Sequence, residues 1–332
     1  MADYKAIKGH TIQTVAGDPG TIVDGLIWYD NVARKVQGSK TAAGAWATGG
    51  TGNTVKAYPG GGGSQTAAWV AGGETPASPA YDDIHEQYDG TSWTEVADIN
   101  TGRYECVGAG TPAAALIAQG GAAPAPTLNS EEWDGSSWTE GSNANVAMRA
   151  MASAGTQTAA LSIGGHTYPS IPSDVESYNG TSWTQITDIN TGGYYVKGNG
   201  TQTAALISGR VIFGSPDATN FDKTESWDGS SWTEGASLNT ARSYDLATFG
   251  TSTSAIHAGG YSSASPAGNR ANSEEWDGSS WTEVGDLSTA IRYTLGATTS
   301  SLGLQMFGYT SAKTATVQEW TQASAAVTFT SS

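Results

Sequence analysis

One ten-residue phrase, EEWDGSSWTE, occurs twice in this chain, at 131–140 and at 274–283. A shortened copy, SWDGSSWTE, lies at 226–234, and looser copies lie at 86–95 and 176–185. The second aromatic residue of each copy is a tryptophan: Trp93, Trp138, Trp183, Trp232 and Trp281. Successive members of this series are 45, 45, 49 and 49 residues apart. A period of this size indicates an architecture of repeated units that bury their faces against one another.

Each unit has the pattern of four strands. In the second unit a small-residue segment (103–110) precedes an apolar segment (114–121), and two short polar and aromatic segments follow at 130–135 and 136–140. The Asp-Gly pair between the last two predicts a two-residue type I′ hairpin turn. That turn would make the two tryptophans of the hairpin diagonal neighbours on one face.

The apolar segment recurs once more often than the complete tryptophan hairpin, which is present five times. Its six copies lie at 66–73, 114–121, 158–165, 203–210, 253–260 and 302–309. The last unit has a third strand at 317–320 and lacks a fourth, but AWATGGTGNT at 45–54 matches SWTEGASLNT at 231–240. The N-terminal segment therefore supplies the missing outer strand, which ties the chain ends together and removes an exposed sheet edge.

These counts predict an all-β fold, a six-bladed β-propeller in which residues 44–50 close blade six by pairing near 317–320. The predicted boundaries are 1–43 for an N-terminal arm and 44–332 for the propeller. We expect one tryptophan of each blade to be buried as a structural residue at an equivalent place: Trp46, Trp93, Trp138, Trp183, Trp232 and Trp281.

The repeat resembles the kelch repeat, which has a glycine pair after the second strand, an aromatic residue in the third and a tryptophan in the fourth. The hairpin is shorter here, because only five positions separate Trp133 from Trp138. The phrases DGSSWTE, DINTGR (98–103) and GTQTAAL (155–161 and 200–206), with GDPGTIVDGLIWYDN (17–31), look like those of kelch-like propeller proteins of tailed, often marine, bacteriophages. The resemblance implies a virion protein of the tail or capsid, assembled in the host cytoplasm.

Charge and composition narrow the classes of partner. The chain has 31 acidic and 15 basic residues, a formal charge of −16, which disfavours nucleic-acid binding and attachment to anionic membranes. No apolar stretch approaches the ~20 residues that span a bilayer, so membrane insertion is not expected. The first residues carry no secretion-signal pattern. The single cysteine, Cys106, excludes an internal disulfide.

Reactive motifs are not evident, and the sequence predicts a non-catalytic protein with no cofactor and no metal site. The four histidines occupy unmatched repeat positions, and the hairpin aspartates have the spacing of turn residues. A glutamate recurs at one repeat position, which indicates the same structural task in each blade: Glu86, Glu131, Glu176, Glu225 and Glu274. A carbohydrate-active propeller enzyme, such as a depolymerase or glycosidase, stays open as the alternative. Three or more acidic side chains at the channel mouth would favour it.

Two features are candidates for ligand binding. The loops between second and third strands vary in length and carry aromatic residues: Tyr168, Phe213, Phe221 and Tyr261. Basic residues lie near the start of the innermost strands: Arg103, Arg242 and Arg292, with Arg149 and Lys56. Loops on a rigid scaffold often carry binding sites, and both features emerge on one side of a propeller. The alternatives are that the basic residues bind loop carbonyls and that the loops vary without function.

The resulting hypothesis is a virion structural protein whose exterior propeller attaches to a host-surface polysaccharide or decorates the particle. The arm contains LIWYDN (26–31), which is apolar for a solvated tail. We expect the arm to dock the propeller onto other virion proteins. The alternative is that it caps one face of the same propeller.

Overall fold

The computed structural model describes residues 13–16, 27–41, 43–76, 81–122, 125–167, 169–212, 222–264, 266–322 and 324–328. Secondary structure over these residues consists of β-strands joined by turns and loops. None of the described residues belongs to a helix long and apolar enough to cross a membrane. The chain divides into two compact units, one of residues 45–321 and one of residues 1–44 with 322–332.

The smaller unit contains a four-stranded sheet made from both ends of the chain. Its strands are β1 (Gln13–Val15), β2 (Ile27–Asp30), β3 (Lys35–Thr41) and β30 (Ser324–Thr328), in that order across the sheet. The last strand pairs antiparallel with β3, from Gln37 opposite Thr328 to Thr41 opposite Ser324. The segment after Gln322 therefore belongs with the arm, whereas the predicted boundary placed it in the propeller. That segment follows the last repeat residue and carries none of the repeat pattern.

The larger unit is a six-bladed β-propeller, as predicted. Blade one contains β5 (Gly60–Ser64), β6 (Ala67–Ala71), β7 (His85–Tyr88) and β8 (Trp93–Val96). Blade two contains β9 (Val107–Thr111), β10 (Ala114–Ala118), β11 (Ser130–Trp133) and β12 (Trp138–Glu140). Blade three contains β13 (Ala152–Thr156), β14 (Ala159–Ile163), β15 (Val175–Tyr178) and β16 (Trp183–Gln185).

The other three blades repeat this order. Blade four contains β17 (Lys197–Thr201), β18 (Ala204–Ser208), β19 (Thr224–Trp227) and β20 (Trp232–Glu234). Blade five contains β21 (Ala247–Thr251), β22 (Ser254–Ala258), β25 (Ser273–Trp276) and β26 (Trp281–Glu283), with a small hairpin of β23 (Tyr261–Ser262) and β24 (Gly268–Asn269) in its loop. Blade six contains β27 (Leu295–Thr299), β28 (Leu302–Tyr309), β29 (Lys313–Thr321) and β4 (Ala45–Thr48).

The ring closes where the sequence predicted. Strand β4 pairs antiparallel with β29, and Trp46 lies opposite Trp320. The innermost strands of neighbouring blades adjoin around the whole ring, including β27 with β5. Residues from the two ends of the repeat region therefore complete one blade, and no blade is left with three strands.

Small residues on the innermost strands permit their close approach. A Cβ atom at Gly108 would lie 2.2 Å from the backbone nitrogen of Gly61 in the neighbouring blade. Apolar side chains fill the space farther from the axis. Between blades two and three, for example, Leu116 and Val107 pack with Tyr178 and Trp183 in one buried cluster.

The hairpin turn differs from the prediction. Trp133 lies directly opposite Trp138, so the connecting loop has four residues and the indoles are direct rather than diagonal neighbours. One oxygen of the Asp134 carboxylate accepts the backbone N–H groups of Ser136 (2.8 Å) and Ser137 (2.9 Å). Only Gly135 of the loop has a positive φ, 96°, whereas a type I′ turn needs two such residues. The aspartate side chain thus selects a wider turn.

The tryptophans of the fourth strands pack between blades. Five of them are 6–7% exposed: Trp93, Trp138, Trp183, Trp232 and Trp281. Trp46 packs against blade five at the equivalent place but is only partly buried, which corrects the expectation of equal burial. Its indole N–H donates to Ser273 Oγ at 3.0 Å, and its ring lies 5.4 Å from that of Trp320.

Candidate functional site: the tyrosine-lined channel mouth

The recurring glutamates join each blade to the loop that precedes it. Glu131 shows the pattern: its carboxylate accepts the backbone N–H groups of Asn100 (2.7 Å) and Thr101 (3.2 Å). The same carboxylate accepts a hydrogen bond of 2.5 Å from Arg103, and both side chains are buried. Their contacts bridge the segment that leads into blade two and the third strand of that blade, which confirms the structural task predicted for these glutamates.

Arg103 and Arg242, predicted as ligand-binding residues, are instead internal ion-pair partners. Arg103 is 0% exposed and pairs with Glu131, and it also donates to the carbonyl of Asn129 at 2.7 Å. Arg242 is 0% exposed and pairs with Glu274. Because their guanidinium groups are enclosed, they cannot contact a ligand at the mouth. The alternative prediction, that basic residues bind loop carbonyls, is correct for both.

The position equivalent to Arg103 is filled differently in other blades. In blade three it holds the buried Met148, and Glu176 accepts a hydrogen bond of 3.4 Å from the Gln119 side chain. In blade four the equivalent residue is Gly193, and the Arg210 side chain occupies the space where a Cβ would lie 2.7 Å from its Cδ. Arg210 pairs with Glu225 at 2.6 Å. In blade six the position holds the buried Ile291, and the glutamate is replaced by Gln318. A lysine or arginine therefore pairs with the recurring glutamate in blades one, two, four and five.

The residue that follows Arg103, and its equivalents in the other blades, point to the opposite face of the segment that leads into the innermost strand. Bridge pairs place Ala57, Tyr104, Arg149, Tyr194, Ser243 and Arg292 at one equivalent position. Successive side chains of an extended segment point to opposite faces. Arg149 is 30% exposed, and Arg292 is also partly exposed, whereas Arg103 one position earlier in its repeat is enclosed. The basic residues predicted to bind a ligand therefore come from two repeat positions, one residue apart, whose side chains point to opposite faces.

The position two residues after Arg103, taken from all six blades, forms a ring around the propeller axis. The ring positions are Tyr58, Glu105, Ala150, Tyr195, Tyr244 and Tyr293, and all six have positive φ. Backbone N–H groups donate around the ring: Glu105 to Tyr58, Ala150 to Glu105, Tyr195 to Ala150, Tyr293 to Tyr244 and Tyr58 to Tyr293, at 2.9–3.0 Å. Left-handed backbone at non-glycine residues is costly, and its repetition is typical of a position that the surrounding fold constrains.

Tyrosine rings cover this end of the channel. Nine of the tyrosines that the structure describes form one connected set of ring contacts, here called the tyrosine cluster. Its members are Tyr58, Tyr81, Tyr104, Tyr194, Tyr195, Tyr244, Tyr261, Tyr293 and Tyr309. The closest pair is Tyr58 and Tyr293, with centroids 4.0 Å apart. Every member is partly or fully exposed, so the cluster is a surface and not a core.

A pocket opens at one side of the tyrosine cluster. Its volume is about 430 Å³, and Tyr81, Tyr104, Pro126, Arg149 and Thr167 are among its lining residues. Tyr81 and Tyr104 are stacked in parallel with centroids 5.1 Å apart. Arg149 donates a hydrogen bond to the Tyr104 hydroxyl, and its Nε lies 3.7 Å from a carboxylate oxygen of Glu105. The pocket thus combines an aromatic face with a guanidinium group.

Arg292 lies on another side of the cluster. Its guanidinium carbon lies 4.9 Å from the ring centre of Tyr261, 4.8 Å from that of Tyr293 and 4.9 Å from that of Tyr309. Of the four loop aromatics predicted as ligand-binding residues, Tyr261 is described and joins this group. The other three, Tyr168, Phe213 and Phe221, lie outside the described residues.

Two buried acidic residues lie behind the tyrosine cluster. Burial raises the pKa of Glu105 to about 7, with a contribution from the charge of Asp245, while a hydrogen bond from Tyr195 acts in the opposite direction. Burial also raises the pKa of Asp245 to about 6, although Lys197 Nζ lies 3.7 Å from its carboxylate. Both side chains are under 5% exposed. Neither carboxylate is placed on the surface of the mouth.

The opposite end of the channel is different in character. A cavity of about 200 Å³ there is lined by residues from all six innermost strands, mainly glycines with Ser153, Asn199 and Thr248. In the described part of the chain, no three His, Cys, Asp or Glu side chains come together as metal ligands. The tyrosine-lined mouth is therefore the end that offers aromatic and charged groups to a ligand.

Sequence reasoning missed most of the tyrosine cluster, although a signal was present. In five of the six blades a tyrosine lies just before the innermost strand, within AYPG, RYEC, YYVK, SYDL and RYTL. Their recurrence just before the innermost strand is the pattern that locates them at the axis.

The fold and the mouth define the chain as a six-bladed β-propeller with a tyrosine-lined channel entrance. No family model and no curated protein matches the sequence. The solved structure of YjhT is similar, with a TM-score of 0.66 at 12% sequence identity, over 84% of this chain and 100% of that one. At this identity the similarity establishes the propeller fold alone.

Proposed function

We propose that the protein is a non-catalytic propeller that binds a carbohydrate at its tyrosine-lined mouth, and that it is displayed on the exterior of a virion. The observation that carries the binding proposal is the tyrosine cluster itself. Nine partly exposed rings around one opening are more aromatic surface than packing requires, and aromatic faces are suited to contact with the apolar faces of sugar rings.

The pocket beside the cluster supports a ligand of saccharide size. Its volume of about 430 Å³ is within the usual range for small-molecule sites. The stacked Tyr81 and Tyr104 supply a flat wall, and the Arg149 guanidinium supplies hydrogen-bond donors. Tyr81 is 36% exposed, so one face of its ring is accessible to a sugar.

The enclosure of the acidic groups near the axis favours binding over catalysis. Glycoside hydrolysis by the usual route needs two carboxylates that both reach the scissile bond. Glu105 and Asp245 lie behind the cluster and are 4% and 1% exposed. Four of the recurring glutamates form internal ion pairs, and the fifth, Glu176, is buried and accepts hydrogen bonds from Asn145, Val146 and Gln119. A carbohydrate-active enzyme is therefore the less favoured alternative.

Placement on a virion is supported by the resemblance of the repeat phrases to those of phage propellers and by the smaller unit. That unit joins both chain ends in one sheet, in which β30 pairs with β3. We propose that it docks the protein onto other virion proteins. A deletion of 1–43 would leave β30 without its partner strand, so the test removes 1–43 and 322–332 together. Particles should then lack the protein, and normal incorporation would refute docking through this unit.

The binding proposal is tested with a glycan array and the purified full chain. Tyr81→Ala should weaken binding to every glycan that the wild type retains, because it removes the exposed ring of the pocket wall. Thr139→Ala, on the exposed outer strand of blade two, is the control and should bind normally. Equal binding by Tyr81→Ala and wild type would place the site elsewhere. Release of shortened oligosaccharides from the array would replace the binding proposal with the enzyme alternative.

A further inference from the structure

We infer that Arg292 is the subsite for the carboxylate of an acidic sugar, so that the ligand class is a uronate-containing polysaccharide. The inference rests on the proposed function and names the chemical class of its ligand. It starts from the charge distribution of the propeller and not from the pocket at Tyr81.

Basic groups of the propeller are almost all neutralised by neighbouring acids. The propeller unit contains ten lysine and arginine residues, and eight of them form ion pairs. Among the described residues of the propeller unit, only Arg270 and Arg292 have no carboxylate within ion-pair distance. In a chain with a formal charge of −16, two unpaired cations on one side of a propeller are conspicuous.

Arg270 has other partners, which leaves Arg292 as the available group. The Arg270 guanidinium donates to the carbonyl oxygens of Pro266 at 2.7 Å and Ala264 at 3.5 Å. The Arg292 side chain makes no hydrogen bond with any described residue, and its Nε is buried without a partner. A guanidinium group has five N–H donors. The Nε–H is enclosed, so the four N–H donors of the two Nη nitrogens are the ones left for a ligand.

Three tyrosines hold the Arg292 guanidinium in place. The rings of Tyr261, Tyr293 and Tyr309 all lie within 5 Å of its guanidinium carbon. Cation–π contacts orient the planar group without consuming its N–H donors. A fixed planar fork fits a carboxylate through two parallel hydrogen bonds, and fixing it beforehand lowers the entropy lost on binding.

The surroundings favour a carboxylate that is attached to a sugar. Tyr293 belongs both to the Arg292 group and to the tyrosine cluster, where its ring contacts Tyr58 and Tyr195. A ligand whose anion binds Arg292 would therefore place its neighbouring rings over tyrosine faces. A uronic acid carries both groups, an anion and a pyranose ring, within one residue. A free carboxylate would use the arginine and leave the aromatic surface without a contact.

The experiment measures binding of three small probes to the full chain by titration calorimetry: D-glucuronate, D-glucose and acetate. Wild type should bind glucuronate more tightly than either of the others. Arg292→Gln should raise the Kd for glucuronate about ten-fold or more, since a charged hydrogen-bonded pair is lost. Arg292→Lys keeps the charge and should recover only part of the affinity, because it loses the planar fork. Lys223→Gln makes the same charge change at an exposed outer pair and should behave as wild type.

Each outcome has a distinct meaning for the two proposals. Unchanged glucuronate binding in Arg292→Gln overturns the inference, and so does acetate binding as tight as that of glucuronate. An array on which only neutral glycans bind, through Tyr81, overturns the inference and leaves the proposed function in place. Arg292-dependent binding of glucuronate without binding to any polysaccharide supports the subsite and refutes the proposed function.

Discussion

Arg103 and Glu131 form a buried ion pair of 2.5 Å inside blade two, where blade six has Ile291 and Gln318 at the corresponding positions. In blade six the Gln318 side-chain oxygen accepts the backbone N–H of Ser288 at 2.8 Å. Glu131 accepts the N–H of Asn100 at 2.7 Å in the same way. The hydrogen bond to the preceding loop is therefore common to both blades, although blade six has no charge at either position. Blade three keeps the acid without an arginine, because the buried Glu176 accepts a hydrogen bond of 3.4 Å from the Gln119 side chain.

The first prediction is that the two charges are strongly coupled. Arg103→Ile or Glu131→Gln alone should lower the free energy of unfolding by about 3–5 kcal/mol, because each leaves a buried charge without its partner. The double variant reproduces the pair found in blade six and should lose much less than the sum of the single changes. Denaturant unfolding of wild type, both single variants and the double variant measures the coupling energy between the two charges. The same set of variants at the exposed pair Lys223 and Glu234 is the reference, with an expected coupling energy of about 1 kcal/mol or less. Additive losses would show that the pair is not coupled.

The second prediction concerns pH. Burial raises the pKa of Glu105 from 4.5 to about 7, so the folded state holds this proton more tightly than the unfolded chain between those values. Stability should therefore fall as pH rises through this window and then level off, as the linkage relation requires. Glu105→Gln removes the ionisation and should be more stable relative to wild type at pH 8 than at pH 4, by roughly 2–4 kcal/mol.

Unfolding curves for wild type and Glu105→Gln at several pH values test this directly. Glu95→Gln is the control, since Glu95 is exposed on the outer strand of blade one and should not change the slope. The ion pair of Glu105 with Arg149 opposes the effect, because it stabilises the ionised form. If the stability of Glu105→Gln follows wild type in parallel from pH 4 to pH 8, the buried carboxyl does not titrate in this range.

The propeller was predictable from sequence because its determinants are periodic. The spacing of Trp93, Trp138 and their equivalents gives the number of blades, and the match of 45–54 to a fourth strand identifies the closure. These features depend on which residues repeat and not on where their side chains point. The pairing of β30 with β3 could not be predicted in this way, because neither strand carries the repeat.

The site was less predictable because it depends on side-chain direction. Arg103 and Arg149 occupy neighbouring repeat positions, and that difference of one residue separates an enclosed ion pair from a group 30% exposed at the mouth. The prediction of the hairpin turn was wrong for a related reason. The Asp134 side chain accepts hydrogen bonds from two backbone N–H groups, and the Asp-Gly pair alone does not show this. The sequence period shows where in a blade a residue lies. Whether its side chain points into the blade or toward the mouth depends on a difference of one residue, which the period alone does not resolve.

The third prediction concerns ring closure by β4. A chain of residues 44–321 contains the complete propeller, and a chain of residues 49–321 lacks only the closing strand. The shorter chain should melt at a lower temperature, because it exposes the edge of β29 and loses the contact of Trp46 with Trp320. Comparing two truncated chains removes any contribution of the arm. Equal melting temperatures would refute the closure as a source of stability.

The fourth prediction is that the tryptophans of the fourth strands are unequal in energetic terms. Trp138 is 7% exposed and packs against Trp133 at 5.5 Å, so Trp138→Ala should cost about 3–5 kcal/mol of unfolding free energy. Trp46 is partly exposed, and its ring contacts are Trp320 at 5.4 Å and Phe249 at 5.9 Å. Trp46→Ala should cost less, since part of its surface is already in water in the folded state. Matched denaturant unfolding of the two variants compares them, and an equal loss would mean that Trp46 contributes through closure of the ring and not through burial alone.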